Sequence, residues 1–144
     1  MEKTPNDSKA EVIIRMFPSD ANPAGNVFGG AILKHIDMVA GIVAQRYSQT
    51  NAVTVSMDKI SFLKPVFVGN VLFVNARVNY VQKSSMEIEV NVEAEDIAKG
   101  IRKWREKFKM KKMHFFKNLE INDYIQLMKY TSCLVGNSSS GIRE

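Results

Sequence analysis

The sequence predicts an α+β domain in which an antiparallel sheet curls around one long helix, followed by a shorter α/β segment. Apolar residues recur at intervals of three and four over residues 27–47, which is the spacing of one helix face. Residues 52–62, 71–81 and 86–95 instead alternate between apolar and polar, as half-buried strands do. Helical and extended patterns alternate again after residue 96, which is typical of α/β units.

The elements of the first part follow one another in a simple order. Glu11–Phe17 is predicted to be the first strand, and the PSDANPAGN after it is a loop dense in Pro, Asn, Asp and Gly. The helix then runs from Val27 to about Tyr47. Its apolar face consists of Ile32, Leu33, Ile36, Val39, Ala40 and Val43. The three strands that follow would wrap this face, with a short turn at Gln82–Ser85 between the last two.

The part of the chain after Asp96 has a different composition. Nine basic residues and one acidic residue lie between Lys99 and Lys117. The predicted elements are a basic amphipathic helix at Ile97–Phe108, a strand at Met113–Phe116, a helix at Asn122–Tyr130 and a strand at Cys133–Gly136. Such a basic helix is usually a solvated face, with nucleic acid or an anionic membrane as the alternative contact. We do not expect nucleic acid to be a partner.

Composition limits the classes of function. The chain has 144 residues, a net charge of +5, one cysteine and two histidines. Cys133 alone cannot form an internal disulfide, and His35 and His114 have no second ligand type at metal spacing, so no metal is expected. No apolar run approaches the roughly 20 residues that cross a bilayer, and the N-terminus lacks the apolar centre of a signal peptide. We therefore expect a cytoplasmic protein without a membrane partner, and a frayed, disordered segment at residues 1–10.

The stretch DANPAGNVFGGAILKHID contains a candidate catalytic site. Gly29 and Gly30 at the start of the helix leave their backbone N–H groups open to a carbonyl oxygen, at the positive end of the helix dipole. Asp37 lies about two turns further on and is suited to act as general base for water, unless it merely faces solvent on the helix flank. A thioester suits this pair of groups, because a thiol leaving group with a pKa of about 8.5 needs little help from an acid.

This stretch, with TVSMDKISFLKPVFVGN and the KSSMEIEV of the paired strands, resembles the hotdog-fold acyl-CoA thioesterases of the short cytosolic type. The resemblance covers residues 11–96 and implies hydrolysis of acyl-CoA by a homo-oligomer built on a hotdog dimer, without a cofactor. It implies that Asp37 is the catalytic carboxylate and that Asn22 joins it across the dimer interface, although Asn in such a loop also has structural roles. It further places CoA along the subunit boundary, near residues that are otherwise ordinary surface positions: Lys64, Lys83, Ser84 and Ser85.

Residues 97–144 resemble a different family, the UDP-N-acetylglucosamine 2-epimerases, through FFKNLEINDYIQLMKYTSCLVGNSSSGIRE. The resemblance implies a Rossmann-like fragment of a longer protein. The small-residue turn that holds the diphosphate in that family corresponds to Asn137, Ser138, Ser139, Ser140 and Gly141. Because the rest of that family's site is missing, we expect only a phosphate-binding remnant and no UDP-sugar chemistry. The sequence is therefore interpreted as chimeric.

The chimeric interpretation leaves the hotdog domain at residues 11–96 truncated, since its sheet would lack the usual last strand after Glu93. If nothing replaced that strand, a sheet edge would be exposed. Two short segments are candidates to replace it, His114–Phe116 and Cys133–Val135. A loosened site leaves two alternatives to catalysis open: a non-catalytic scaffold that dimerises or binds CoA, and a fused chain with no evolved activity.

Overall fold

A computed structural model of the chain describes residues 5–58, 60–100 and 113–117. Within these ranges the backbone forms one α-helix and five strands. The helix is α1 (Gly29–Ser48), and the strands are β1 (Ala10–Arg15), β2 (Ala52–Met57), β3 (Val71–Val81), β4 (Ser85–Glu95) and β5 (Met113–Lys117). Short 3-10 turns lie at Pro5–Ser8, Pro18–Asp20 and Ile97–Lys99.

The strands form a single antiparallel sheet in the order β1-β3-β4-β5-β2, and α1 packs across one face of it. The helix buries the face that its apolar periodicity predicts, namely Ile32, Ile36, Val39, Ala40, Val43 and Ala44, while Leu33 is only partly buried. Alternate residues of β3 and β4 meet this face from the sheet, including Leu72, Val74, Ile88 and Val90. The predicted α+β plan, a sheet with one long helix, is confirmed.

The sheet is not open at its last strand, which corrects the expectation of an incomplete hotdog sheet. Strand β5 lies between β4 and β2. It pairs with Ser85–Ile88 of β4 on one side and with Ala52–Met57 of β2 on the other. Met113 and Phe115 are fully buried in the core because strand alternation turns both toward α1. Of the two segments expected to compete for this position, His114–Phe116 occupies it.

The predicted helix at Ile97–Phe108 does not begin as an α-helix. Ile97–Lys99 is a 3-10 turn, and Gly100 ends it with a backbone φ of 60°. Glycine adopts this left-handed conformation without the steric cost that a side chain brings, which suits it to end the 3-10 turn. The remainder of that helix, the helix at 122–130, the strand at 133–136 and most of the Rossmann-like fragment lie outside the described residues.

The N-terminal region is more ordered than the polar sequence predicts. Residues 5–8 form a 3-10 turn, and the Ser8 side chain is buried, its Oγ accepting a 2.9 Å hydrogen bond from the Val78 backbone N–H. This bond fastens Ser8 to β3 in a segment for which the sequence predicts a frayed end. Strand β2 is shorter than the predicted 52–62, and the described residues between Met57 and Val71 form a loop in which Phe67 makes an isolated bridge to Asn26.

Candidate functional site

Asp37 and Thr54 lie in direct contact where α1 meets β2. The Thr54 hydroxyl donates a 2.5 Å hydrogen bond to Oδ1 of Asp37, and both residues are partly buried. Asp37 follows the fully buried Ile36, so it lies on the flank of the apolar face and not opposite to it. The alternative that Asp37 simply faces solvent does not describe this geometry, because its carboxylate is held against the sheet.

A strand irregularity accompanies this contact. The pairing of β2 with β5 shifts register between Thr54 and Ser56, which is a β-bulge immediately after the threonine. Bulges bend a strand and re-aim its side chains, and they are common beside functional sites. In β2 the bulge separates two inward-facing positions, so that Thr54 faces Asp37 while Met57, further along, packs against the core.

Asp37 and Thr54 lie at one end of a groove of about 400 Å³. One wall of the groove is the flank of α1, and the other is formed by β2 and β5. The lining residues are Asp37, Met38, Gly41, Ile42, Gln45, Ala52, Val53, Thr54 and Phe115. Polar and apolar atoms contribute about equally to the exposed lining, so the groove combines one carboxylate with a mixed surface.

Asn22 organises the loop that leads into α1. Its Oδ1 accepts hydrogen bonds from the backbone N–H groups of Ala24 (3.0 Å) and Asn26 (3.1 Å), and its own N–H donates to the Asn26 carbonyl at 2.7 Å. Gly25 permits the turn with a φ of 83°. These bonds fix the plane of the side-chain amide, and its Nδ2 group has no hydrogen-bond acceptor among the described residues. Asn22 makes no hydrogen bond to Asp37 within one chain.

The helix begins at Gly29, and two aromatic rings cover its first residues. A Cβ atom at Gly29 would lie 3.4 Å from the Phe62 ring, and one at Gly30 would overlap the ring of Phe28. The first N–H groups of an α-helix have no carbonyl partner within the helix, and neither glycine has a side chain of its own to screen them. Phe28 is 60% exposed, so its ring lies at the surface of the helix start.

The four residues expected near CoA fall into two places. Lys83, Ser84 and Ser85 form the β3–β4 hairpin tip, where the Ser85 hydroxyl donates to Oε1 of Gln82 at 3.0 Å. Ser85 pairs with Phe116, which pairs in turn with Val53, the neighbour of Thr54. The hairpin tip therefore lies at the same end of the sheet as Thr54, two strands away, or about 10 Å. Lys64 is exposed in the loop between β2 and β3.

The described part of the chain shows neither a metal-ligand cluster nor a membrane-spanning helix. It contains no group of three or more His, Cys, Asp or Glu residues arranged to hold a metal ion. None of its helices is both long enough and apolar enough to cross a membrane. The expected phosphate-binding remnant, Asn137 to Gly141, lies outside the described residues.

A family model described as "Thioesterase superfamily" matches residues 24–101, which include Asp37, Thr54 and both helix-start glycines. The chain belongs to the thioesterase superfamily. A curated member, the human cytosolic acyl coenzyme A thioester hydrolase, is 38% identical over 61% of this chain and 25% of its own length. The chain thus spans about a quarter of the length of that mammalian relative.

Solved structures of other superfamily members have the same fold. The acyl-CoA hydrolase of Bacillus cereus has a TM-score of 0.70 and 32% identity, over 82% of this chain and 70% of its own. The Staphylococcus aureus hydrolase, solved with butyryl-CoA, CoA and CoA disulfide, has a TM-score of 0.67 and 30% identity, over 83% and 71%. A hexameric thioesterase from Yersinia pestis has a TM-score of 0.61 and 26% identity, over 77% and 87%.

Alanine variants of the S. aureus superfamily member have also been solved, at an asparagine, an aspartate and a threonine. The three positions have the same spacing along that chain as Asn22, Asp37 and Thr54 have along this one. Thr54 is the residue that the sequence reasoning missed. The available signal was a polar residue at an inward position of an alternating strand, opposite an apolar helix, where an unpaired hydroxyl is unfavourable.

Proposed function

We propose that this chain hydrolyses acyl-CoA thioesters to free CoA and a carboxylate, with Asp37 as general base. The observation that carries the proposal is the Asp37–Thr54 hydrogen bond at one end of the groove between α1 and β2. The matching spacing of the three S. aureus variants supports it, as do the names of the relatives.

The chemistry follows from the carboxylate and the helix start. Thr54 occupies Oδ1 of Asp37, and no described residue hydrogen-bonds to Oδ2, which is left to accept a proton from water. The water oxygen attacks the thioester carbonyl carbon, and the carbonyl electron pair moves to its oxygen. The N–H groups of Gly29 and Gly30 stabilise this oxyanion. When the oxyanion collapses, the C–S bond breaks and the CoA sulfur takes the proton back from Asp37, leaving the carboxylic acid, which ionises.

Asn22 would orient the reacting groups from a second subunit. Its Oδ1 is committed to the loop backbone, so the amide offers only its Nδ2 donors to the carbonyl oxygen or the attacking water. Since Asn22 and Asp37 do not meet within one chain, a complete site requires two copies, with the asparagine of one beside the aspartate of the other.

Two features support assembly into a homo-oligomer. β2 is an edge strand of the sheet, with a partner on one side only among the described residues. Next to it on α1, Met38 and Ile42 are 46% and 43% exposed, and a second subunit would cover them. The hexameric relative shows that the fold assembles beyond a dimer in one member of the superfamily. The mass of the oligomer in solution distinguishes a dimer from a larger assembly.

CoA would lie toward the β3–β4 hairpin, with Lys83, Ser84 and Ser85 near its phosphates and Lys64 approaching from the preceding loop.

The mechanism uses only protein groups and water, without metal or cofactor. We place the protein in the cytoplasm, in line with the cytosolic human relative. The hydrolase domain extends past residue 96, because β5 completes the sheet and the family model reaches residue 101. Asn137–Gly141 has no role in this proposal.

The test is CoA release from acetyl-, butyryl-, decanoyl- and palmitoyl-CoA by the purified oligomer, with Cys133 subtracted as a thiol blank. Asp37→Asn keeps the size of the side chain and removes the base, so we expect a fall in kcat of about a hundredfold or more. Glu11→Gln is the matched control, because it makes the same carboxylate-to-amide change on the exposed face of β1.

Turnover that survives Asp37→Asn would contradict the role of Asp37. A folded oligomer with no turnover on any thioester would contradict the proposed function and favour a scaffold that dimerises or binds CoA.

A further inference from the structure

The end of β2 that follows the bulge is held to the sheet by few backbone pairs. Two residue pairs follow the bulge: Ser56 with His114 and Met57 with Met113. Because β2 is an edge strand, β5 is its one strand partner among the described residues. The bulge that turns Thr54 toward Asp37 lies directly before these two pairs. Whatever else joins this end of β2 to β5 therefore bears on how closely the Thr54 hydroxyl is aimed.

His114 supplies a second connection between the two strands, on the face of the sheet away from α1. Its neighbours Met113 and Phe115 are buried in the core, so strand alternation turns His114 outward. Its Nε2 lies 3.8 Å from Oδ1 of Asp58, the first residue after β2. The two side chains are 42% and 45% exposed, so water screens the pair and its contribution is modest.

Two carboxylates flank the imidazole of His114. Asp58 approaches from the end of β2, and Glu87 of β4 is paired with His114 on the other side. The next outward carboxylate of β4, Glu89, is held by Arg77 at 2.7 Å. Histidine side chains change their charge between about pH 5 and 8. A protonated imidazole at this position is attracted to the flanking carboxylates, and that attraction is lost when the imidazole becomes neutral.

We propose that His114 and Asp58 form a clasp that positions Thr54 for catalysis, and that the clasp closes when His114 is protonated. With His114 charged, the ion pair reinforces the two backbone pairs beyond the bulge and keeps the Thr54 hydroxyl against Asp37. With His114 neutral, backbone pairing alone holds this end of β2, and the hydroxyl is aimed less closely. Both are positioning residues, because they act through Thr54. This inference rests on the proposed hydrolysis.

The experiment measures kcat/KM for butyryl-CoA at about pH 6, the acid pH, and about pH 8.5, the alkaline pH. His114→Gln removes the charge, so kcat/KM should fall about two- to fivefold at the acid pH, as expected for one partly exposed ion pair, and stay near wild type at the alkaline pH. Asp58→Asn should show the same pattern, and the two changes combined should cost no more than either alone. His114→Lys keeps its charge at both pH values, so it should match wild type at the acid pH and exceed it at the alkaline pH.

Two controls separate positioning from a general loss of stability. Glu11→Gln removes a carboxylate from β1, the opposite edge strand, and should leave kcat/KM at the wild-type value at both pH values. In a Thr54→Val background, His114→Gln should have no further effect, because the hydroxyl that the clasp positions is absent. A change in strand propensity lowers activity to the same extent at both pH values, so it cancels when the two are compared.

A further measurement does not depend on activity. Hydrogen exchange of the β2 amides beside the bulge, corrected for the intrinsic rate at each pH, should be slower in wild type than in His114→Gln at the acid pH only. Equal exchange in the two proteins would overturn the clasp, whether or not the protein hydrolyses thioesters.

The kinetic outcomes separate the clasp from the function on which it rests. The same loss at both pH values in His114→Gln, or an undiminished effect in the Thr54→Val background, would overturn the clasp and leave thioester hydrolysis intact. A His114→Gln protein whose oligomeric mass differs from wild type in light scattering would also overturn it, since His114 would then act through a subunit contact. Wild-type enzyme inactive on every thioester would overturn the proposed function and the catalytic role of the clasp with it.

Discussion

The hydroxyl of Thr54 and the carboxylate of Asp37 join β2 to α1 through a 2.5 Å hydrogen bond. Because the hydroxyl donates to Oδ1, it fixes the orientation of the carboxylate and leaves the second oxygen for water. The two residues come from elements that meet only in the folded domain. Thr54 is thus a positioning residue for the proposed base.

Removing the Thr54 hydroxyl should slow hydrolysis without unfolding the protein. Thr54→Val keeps the shape of the side chain and removes the donor, and a hydrogen bond to a charged group contributes about 1.5–3 kcal/mol. We expect kcat/KM to fall by about one to two orders of magnitude. Thr54→Ser retains the donor and should recover most of the activity. Equal losses in the Val and Ser variants would contradict a role for the hydroxyl.

Two substitutions at Asn22 should separate its structural and catalytic roles. Asn22→Asp preserves the oxygen that accepts from Ala24 and Asn26 but removes the Nδ2 donors, so the loop should stay folded while kcat falls. Asn22→Ala removes both groups and should lower stability as well, by about 1 kcal/mol. Thermal unfolding and CoA release, measured on both variants, test this. Full activity in Asn22→Asp would show that Asn22 only builds the loop.

The ring of Phe28 should determine how well Gly30 tolerates a methyl group. Gly30→Ala places Cβ against that ring, so either the ring or the helix start must move. A shift of about 1 Å in a catalytic group can cost about a hundredfold in rate, and we expect a clear loss of kcat. Phe28→Ala combined with Gly30→Ala relieves the overlap and should recover activity relative to Gly30→Ala alone. A double variant as slow as the single one would point to the methyl group itself as the obstacle.

Phe115 should contribute strongly to the free energy of unfolding, although its strand, β5, is short. It is 1% exposed in the core, and Phe115→Ala should lower the unfolding free energy by about 3–5 kcal/mol. Phe17 is 58% exposed, so Phe17→Ala is the control and should change it by less than about 0.5 kcal/mol. Urea unfolding at one fixed protein concentration measures both, because subunit association also contributes to stability. Similar values for the two variants would mean that β5 does not support the core.

Local sequence patterns were sufficient for α1 and the β3–β4 hairpin, since each has a strong period and a nearby turn. For Asp37 they left two alternatives open, a general base or a residue that faces solvent on the helix flank, and its hydrogen bond to Thr54 is visible only in the structure. The place of β5 in the sheet was open, because alternation in Met113–Phe116 shows which side chains face inward but not which strands lie next to them. The 3-10 turn at Ile97–Lys99 depended on the conformation of Gly100, which its neighbours in sequence did not indicate.

Thr54 was missed for a related reason. Its contact with Asp37 depends on how an edge strand packs against a helix, and on a bulge that sequence patterns do not reveal. The roles expected for Asn22, Gly29 and Gly30 came from resemblance, and they stay predictions. In the structure these residues lie in one loop and the helix start that follows it, while Asp37 lies further along the helix.

The position of β5 in the chain determines the order in which the elements of the site can fold. Strand β2 carries Thr54, and among the described residues its one strand partner is β5, which comes far later in the chain. During synthesis from the N-terminus, α1 can pack on β1, β3 and β4 while β2 still lacks a neighbour. The carboxylate is therefore in place before its hydroxyl partner. A growing chain should therefore hold a complete Asp37–Thr54 pair, ready to join a second copy, only after residue 117 has left the ribosome.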